Sequence, residues 1–301
     1  MRRLFAALAG ATALLATVAL AASPEDDYFA ARNKAIAKVK QLEAADSSNE
    51  KADAFGAKAL ADLQKRLKVL IGPVTVKGFP SEGKINLQTL GSEVGSGMLD
   101  GLMFTASETG EAPSLVVTTD GLLQKWLKGQ AAEKDASLKY PTPTPEVLMS
   151  DAFYTSGIGS DAAYTRAAVL DIAKPAGADF AYAALGRWAQ DIGPGPLDHI
   201  VVAVVKGQRV LVVDQQAKAK FPEIPACKAL WDAATAKGDK LYKAYQASGL
   251  KNEKVFAEYE KASAAGDKDW FACVGAHAKA EKVYPDLVAE AQDVANRLAG
   301  N

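Results

Sequence analysis

The stretch IVVAVVKGQRVLVV, residues 200–213, decides the fold class of this 301-residue chain. It consists of two apolar, valine-rich runs, Ile200–Val205 and Val210–Val213, joined by the polar segment Lys206–Arg209. Such runs around a glycine-containing turn predict a β-hairpin. Neither run alternates apolar with polar residues, so we expect both strands to lie in the middle of a sheet that is covered on both faces.

Weaker strand patterns extend this sheet toward the N-terminus. Period-two patterning predicts a hairpin of Val74–Lys77 with Ile85–Gln88 and another of Leu102–Thr105 with Leu115–Thr118. A further strand is predicted over 167–172 and a helix over 178–190. We therefore expect residues 73–221 to form an antiparallel sheet region with packed helices.

The sheet region contains a hint of internal duplication. FTAS at 104–107 and LQKW at 123–126 resemble FYTS at 153–156 and LGRW at 185–188. The proline-rich YPTPTP at 140–145 lies between the two sets and predicts an extended joint. Two ββα units joined at 140–145 are one interpretation, although the matches are short and their intervals differ, which favours chance.

Helical patterns flank the sheet region on both sides. Residues 23–72 predict a helical hairpin that begins at Ser23-Pro24 and breaks at 46–49. Residues 222–301 predict a helical bundle, with helices over 228–248, 252–265, 267–282 and 285–298. The predicted fold class is α+β, and the order of elements allows both helical segments to form one layer against the sheet.

The first 22 residues have the composition of a secretory signal peptide. Two arginines precede an uncharged Ala- and Leu-rich run, which ends at an A-x-A cleavage point, Ala19–Ala21. An uncleaved anchor is the alternative, because the run approaches the length that spans a bilayer. We expect cleavage and a periplasmic or secreted product with no membrane span; the residues do not separate the general route from the twin-arginine route.

The charge balance argues against a nucleic-acid partner. The formal net charge is −1, with 35 basic and 36 acidic residues. Proteins that bind nucleic acids concentrate lysine and arginine on one face. The densest basic cluster, Lys65–Lys68, shares a helix with regularly spaced leucines, and a solvated polar face explains it.

The chain has two cysteines, Cys227 and Cys273, both in the predicted bundle. An isolated pair in an exported protein predicts a disulfide. The loop of roughly 47 residues that it would close corresponds to about 4 kcal/mol of chain entropy. A metal site for zinc or copper is the alternative, because Cys273 and His277 lie four apart on one helix and Cys227 offers a third ligand.

Candidate catalytic patterns are incomplete. G-x-S-x-G does not occur, and the S-x-x-K matches at Ser48 and Ser81 have no S-D-N or K-T-G partner, so the catalytic residues stay unknown. Polar and aromatic residues gather near the start of the central hairpin, where a loop could fold back over the sheet. They are Tyr154, Arg187, Trp188, Asp191 and His199, our candidate ligand-binding residues. An exposed histidine at a strand end is the simpler interpretation of His199.

These observations favour an exported, non-catalytic binding or envelope-assembly protein without a cofactor. Its partner would be a small molecule, a glycan or an envelope protein. An envelope hydrolase that uses carboxylates is the alternative, favoured if a buried acid pair faces a cleft near Trp188 and His199. A metal-handling protein centred on Cys273 and His277 is the second alternative.

Overall fold

The computed structural model describes residues 23–45, 48–86, 90, 99–105, 113–125, 164–188, 198–219, 221–281 and 284–300. The predicted leader, the proline-rich joint and the FYTS segment at 153–156 lie outside these ranges. The helices are α1 (Pro24–Ala45), α2 (Glu50–Ile71), α3 (Pro225–Ala247), α4 (Glu253–Glu281) and α5 (Pro285–Ala299). Within the described ranges, no helix is long and apolar enough to cross a bilayer.

A single antiparallel sheet of seven strands forms the centre of the described structure, in the order β1-β2-β3-β7-β6-β5-β4. The strands are β1 (Lys84–Ile85), β2 (Leu102–Thr105), β3 (Ser114–Thr119), β4 (Tyr164–Leu170), β5 (Phe180–Trp188), β6 (His199–Lys206) and β7 (Arg209–Gln216). Together with the N-terminal helix pair and the C-terminal helices, this sheet confirms the predicted α+β class.

The hairpin predicted from residues 200–213 is the pair β6–β7. Lys206 pairs with Arg209 at its end, and Gly207 adopts the left-handed conformation with φ of 59°. A tight turn of this kind favours glycine, because a side chain is strained at positive φ. Val201–Val204 and Val210–Val213 are completely buried, which confirms strands covered on both faces.

The first face of the sheet packs against helices from both ends of the chain. Val202, Val204, Leu211 and Val213 point to this face and share one core with α1, α2, α4 and α5. Helix α5 lies against β6 and β4, and α2 lies against β1, β2 and β3. The hydrophobic stripe of each helix is therefore buried on the sheet.

The second face carries its own apolar core. Val201, Ala203, Val210 and Val212 alternate with the residues of the first face and pack with Tyr182 of β5. Leu123, in a helical stretch at 120–125, also belongs to this core. Burial on both faces explains why the sequence of the central strands is apolar without interruption.

Strand β5 corrects the helix predicted over 178–190. The segment is rich in alanine, which is a good helix former, but helix propensity is a weak prior that strand pairing overrides. Here β5 is hydrogen-bonded on both sides, to β4 and to β6, with Ala184 opposite Val201. The LGRW segment at 185–188 is consequently in a strand, so the second of the two suggested ββα units has no helix there.

The first predicted hairpin is also wrong. Residues 72–76 form no strand, although Val74 and Val76 are buried in the core. Lys84–Ile85 pairs with β2 instead, with Ile85 opposite Leu102. Burial of alternate side chains in an irregular segment explains the period-two pattern of residues 74–77.

A buried polar cluster holds α1 on the sheet. The Tyr28 hydroxyl donates to Asp100 Oδ1 at 2.8 Å, and Arg32 Nε donates to the same oxygen at 3.0 Å. The Asp100 side chain is 1% exposed and that of Arg32 is 12% exposed. Thr118 of β3 donates through Oγ1 to the main-chain oxygen of Asp100 at 2.6 Å. These bonds fix the position of α1 relative to β3.

Helices α3 and α4 form an antiparallel hairpin, and α4 corrects the break predicted at Gly266. The helix is continuous from Glu253 to Glu281. A Cβ added to Gly266 would lie 2.2 Å from the Cβ of Ala234 in α3. Glycine at this position permits close approach of two helices, so it does not mark a helix end.

Gly266→Ala is therefore expected to lower the free energy of unfolding by about 1–3 kcal/mol, because the added methyl group forces the helices apart. Gly238→Ala in α3 is the matched control: its Cβ would meet Tyr259 at 3.5 Å, an ordinary contact. That control should stabilise by about 0.5–1 kcal/mol, the usual gain of alanine over glycine within a helix. Urea denaturation followed by circular dichroism measures both; equal effects of the two substitutions would contradict the close approach.

Candidate functional site

Cys227 and Cys273 are joined in a disulfide, as predicted. Their Cα atoms lie 5.6 Å apart, and the bond connects the first turn of α3 to the second half of α4. Trp231 and Trp270 pack edge to face beside each other in the same helix pair, with ring centroids 4.5 Å apart. The bond therefore joins the two helices at the end of the hairpin that packs onto the sheet core.

His277 lies beside this disulfide. Its ring nitrogen and the two sulfur atoms all lie within 4.8 Å of one another, as the spacing of Cys273 and His277 predicted. Metals bind cysteine as the thiolate. Since both sulfurs are bonded to each other, the oxidised form described here offers no thiolate, and the metal hypothesis does not apply to it.

His199 pairs with Asp214 at the end of the central hairpin. His199 Nδ1 lies 3.0 Å from Asp214 Oδ1, and the two side chains are 12% and 6% exposed. His199 Nε2 lies 4.0 Å from Asp198 Oδ1. His199 is thus a partly buried partner of two carboxylates, which differs from an exposed strand-end histidine.

The sheet places the backbones of two further candidates at this end. Gly186 pairs with His199, so Arg187 and Trp188 follow at the end of β5, where Trp188 also pairs with Tyr164 of β4. Tyr154 and Asp191 lie outside the described residues.

A carboxylate that holds Nδ1 of an imidazole orients the ring, as it does in hydrolytic triads. In this protein the His199–Asp214 contact also connects β6 to β7. A triad requires in addition a nucleophile at hydrogen-bond distance from Nε2. The contact by itself therefore supports a role in strand pairing as well as a role in chemistry.

An open cleft lies at the same end of the sheet as His199, and the sequence did not reveal it. Its volume is about 520 Å³, and it is lined by residues 78–79, Pro113, residues 215–218 and Arg297. Gln216, one of the lining residues, is the cross-strand partner of His199. The cleft and the candidate residues therefore share the same end of the sheet.

Glu290 of α5 organises the rim of the cleft. It accepts a hydrogen bond from Gln215 Nε2 at 2.7 Å and others from the main-chain nitrogens of Lys218 and Ala219. These bonds attach the segment after β7 to α5. Glu290 thereby fixes the main chain from which Lys218 projects.

The cleft is lined by two cationic side chains, Arg297 and Lys218. None of its described lining residues carries a carboxylate, and the carboxylate of Glu290 lies at its rim. Arg297 Nε lies 3.2 Å from Asp293 Oδ2 on the same helix, and its Nη1 donates to the main-chain oxygen of Lys77 at 3.4 Å. Phe79 adds an apolar surface. Such a combination suits a small molecule with an anionic group.

The cleft could not be predicted from the sequence because its residues come from four separate segments. In the sequence, Arg297 is one more charged residue in the last turn of an amphipathic helix, where basic residues are common. Only the tertiary structure places Arg297 of α5 and Lys218, which follows β7, in the lining of one cleft.

No known protein family, curated protein or solved structure matches this chain.

Proposed function

We propose that this chain is an exported binding protein that holds a small molecule through a carboxylate or phosphate group in the cleft lined by Arg297 and Lys218. The observation that carries the proposal is that Arg297 and Lys218 both line an open cleft whose described lining residues include no acid. Its volume of about 520 Å³ is in the range of small-molecule sites.

The cleft chemistry favours an anion over a neutral ligand. A guanidinium and an ammonium group attract negative charge, and arginine in particular binds carboxylate and phosphate through two parallel hydrogen bonds. The amide groups of Gln215 and Gln216 provide neutral donors and acceptors that can orient the rest of the ligand. Phe79 provides a surface for its apolar part.

Two features support export to the periplasm or beyond. The leading 22 residues resemble a signal peptide, and the disulfide is consistent with an oxidising compartment. Low-molecular-weight anions and acidic sugars are the ligand class that such a protein would encounter outside the cytoplasm. An acidic segment of an envelope protein could use the same cations.

Arg297→Gln is expected to weaken binding of the anion by about tenfold or more, because a charge-assisted hydrogen bond contributes about 1.5–3 kcal/mol. Glutamine keeps most of the volume and polarity while it removes the charge. The measurement is a thermal-shift screen of citrate, succinate, galacturonate and inorganic phosphate against neutral analogues, followed by calorimetric titration of the ligand that gives the largest shift.

Arg66→Gln is the matched control for this test. Arg66 forms the same kind of contact as Arg297, a pair with an acid four residues away on its own helix, but it lies on α2 and does not line the cleft. It should leave the dissociation constant unchanged. The proposal fails if no anion shifts the wild-type protein, if neutral analogues bind equally well, or if the two variants behave alike.

A further inference from the structure

The disulfide and His277 together form a second cluster of chemically active side chains, remote in sequence from the anion cleft. Cys227, Cys273 and His277 each offer one ligand atom, and these atoms lie within 4.8 Å of one another. Two sulfurs and an imidazole nitrogen are the donor set preferred by soft d10 ions such as Zn²⁺ and Cu⁺. We propose that reduction of the Cys227–Cys273 disulfide converts this cluster into a binding site for one such ion.

The spacing of the three donors fits one ion. Zinc binds sulfur at about 2.3 Å and imidazole nitrogen at about 2.0–2.1 Å, so two donors on one tetrahedral ion lie roughly 3.5–3.8 Å apart. The observed separations, all within 4.8 Å, need only small side-chain rotations to reach that range. The Cα atoms of the two cysteines are 5.6 Å apart, so both thiolates can turn toward a common ion.

The geometry of α4 places His277, the third donor, near Cys273. His277 follows Cys273 by four residues in the continuous helix α4, so both side chains are on the same face. Cys227 comes from the first turn of α3, which packs against α4. The three donors are therefore carried by two rigid helices, and the site does not depend on a loop.

The three donors differ in their exposure to solvent, so an ion could enter the site from one side only. Cys227 is 1% exposed and belongs to the apolar core, whereas Cys273 and His277 are half-buried. An ion can thus reach His277 and Cys273 from solvent, while Cys227 binds it from the protein side. A fourth position is open to water for Zn²⁺, and the three donors complete a trigonal site for Cu⁺.

The reaction requires a two-electron reductant, which outside the test tube would be a dithiol, either a small molecule or the active site of a thiol–disulfide oxidoreductase. The dithiol gives two electrons and two protons, and it becomes a disulfide while Cys227 and Cys273 become thiols. When the ion binds, each thiol releases its proton to water and coordinates as thiolate. Reoxidation of the pair removes both thiolates and releases the ion.

Metal titration of the purified exported protein tests this inference. The protein is reduced with a phosphine, which leaves no competing thiol, and titrated with Zn²⁺ or Cu⁺ against a chromophoric chelator. The expected result is one ion per reduced chain, no binding of comparable strength by the oxidised chain, and a higher melting temperature of the reduced chain when the ion is present.

His277→Ala is the decisive variant, because it removes one donor and keeps both cysteines and their disulfide. In the reduced form this substitution should weaken ion binding by at least about 10- to 100-fold. Mutation of a group that only hydrogen-bonds to a metal ligand already has an effect of that size. His199→Ala, which removes the other histidine of the chain, should change the affinity by less than about twofold.

Three results would overturn the inference: no stoichiometric binding by the reduced wild type, equal affinity in the His277→Ala variant, or unfolding on reduction that neither ion reverses. None of them bears on the anion cleft, whose lining residues are different. Failure of the anion proposal likewise leaves this test unchanged.

Discussion

Replacement of Asp100 by alanine is expected to lower the free energy of unfolding by about 3–5 kcal/mol, the cost of removing one partner from a buried ion pair. The substitution leaves the guanidinium of Arg32, 12% exposed, without its carboxylate. It also removes the acceptor of the Tyr28 hydroxyl. Since both partners are on α1, the loss should loosen the attachment of α1 to the sheet.

Chemical denaturation of the purified protein measures this effect. Asp62→Ala is the matched control, because Asp62 pairs with Arg66 on the exposed face of α2 and is 60% exposed. An exposed pair of this kind contributes about 0–1 kcal/mol. Equal losses in the two variants would contradict the role assigned to the buried cluster.

The same residue predicts a pH dependence. Burial raises the pKa of the Asp100 carboxyl above its ordinary value, even though the hydrogen bond from Tyr28 and the charge of Arg32 lower it. A carboxyl with a raised pKa in the folded state gives stability that is fully present below the unfolded pKa of about 3.9 and lost as pH rises through the folded value. The difference in stability between wild type and Asp100→Asn should therefore be larger at acidic pH than at neutral pH. A difference that stays constant with pH would rule out the raised pKa.

Loss of the disulfide is expected to cost about 4 kcal/mol, within the usual range of about 2–5 kcal/mol. The bond closes a separation of 46 residues, which comprises nearly all of the hairpin of α3 and α4. Without it the unfolded hairpin gains conformational freedom, while the buried contacts of Trp270 and Val274 with the core remain. The folded form should survive at low temperature with a much lower melting point.

A double substitution, Cys227→Ala with Cys273→Ala, measures this loss independently of any metal. The wild type treated with a phosphine in the presence of a chelator should show a similar loss. The phosphine should have no effect on the double variant, which serves as the control for the reagent. A loss below about 1 kcal/mol would contradict the stabilising role of the bond.

The central part of the fold could be predicted because its signal is local. Two apolar runs joined by a turn that contains Gly207 favour a hairpin covered on both faces, and residues 200–213 form such a hairpin. Helix α1 carries its own start, in which Ser23 and Asp26 cap each other reciprocally. The disulfide could be predicted from the two cysteines and from a leading segment that resembles a signal peptide.

The errors occur where pairing partners decide the conformation. Phe180–Trp188 is rich in helix formers, yet two neighbouring strands provide hydrogen bonds along its length. Glycine is a residue type that often ends a helix, yet Gly266 lies within α4. Its lack of a side chain allows α4 to approach Ala234 of α3 closely. In both cases the deciding interaction involves a residue distant in the sequence.

The sequence by itself determined the elements whose stability is local: the central hairpin, the capped first helix, the amphipathic last helix and the covalent pair of cysteines. Only the tertiary structure decided that β5 is a strand, that Asp214 holds His199, and that Arg297 lies with Lys218 beside the same sheet end. The physical reason is that a periodic pattern reports which face of an element is buried. It does not report which other element covers that face, and a binding site depends on that second fact.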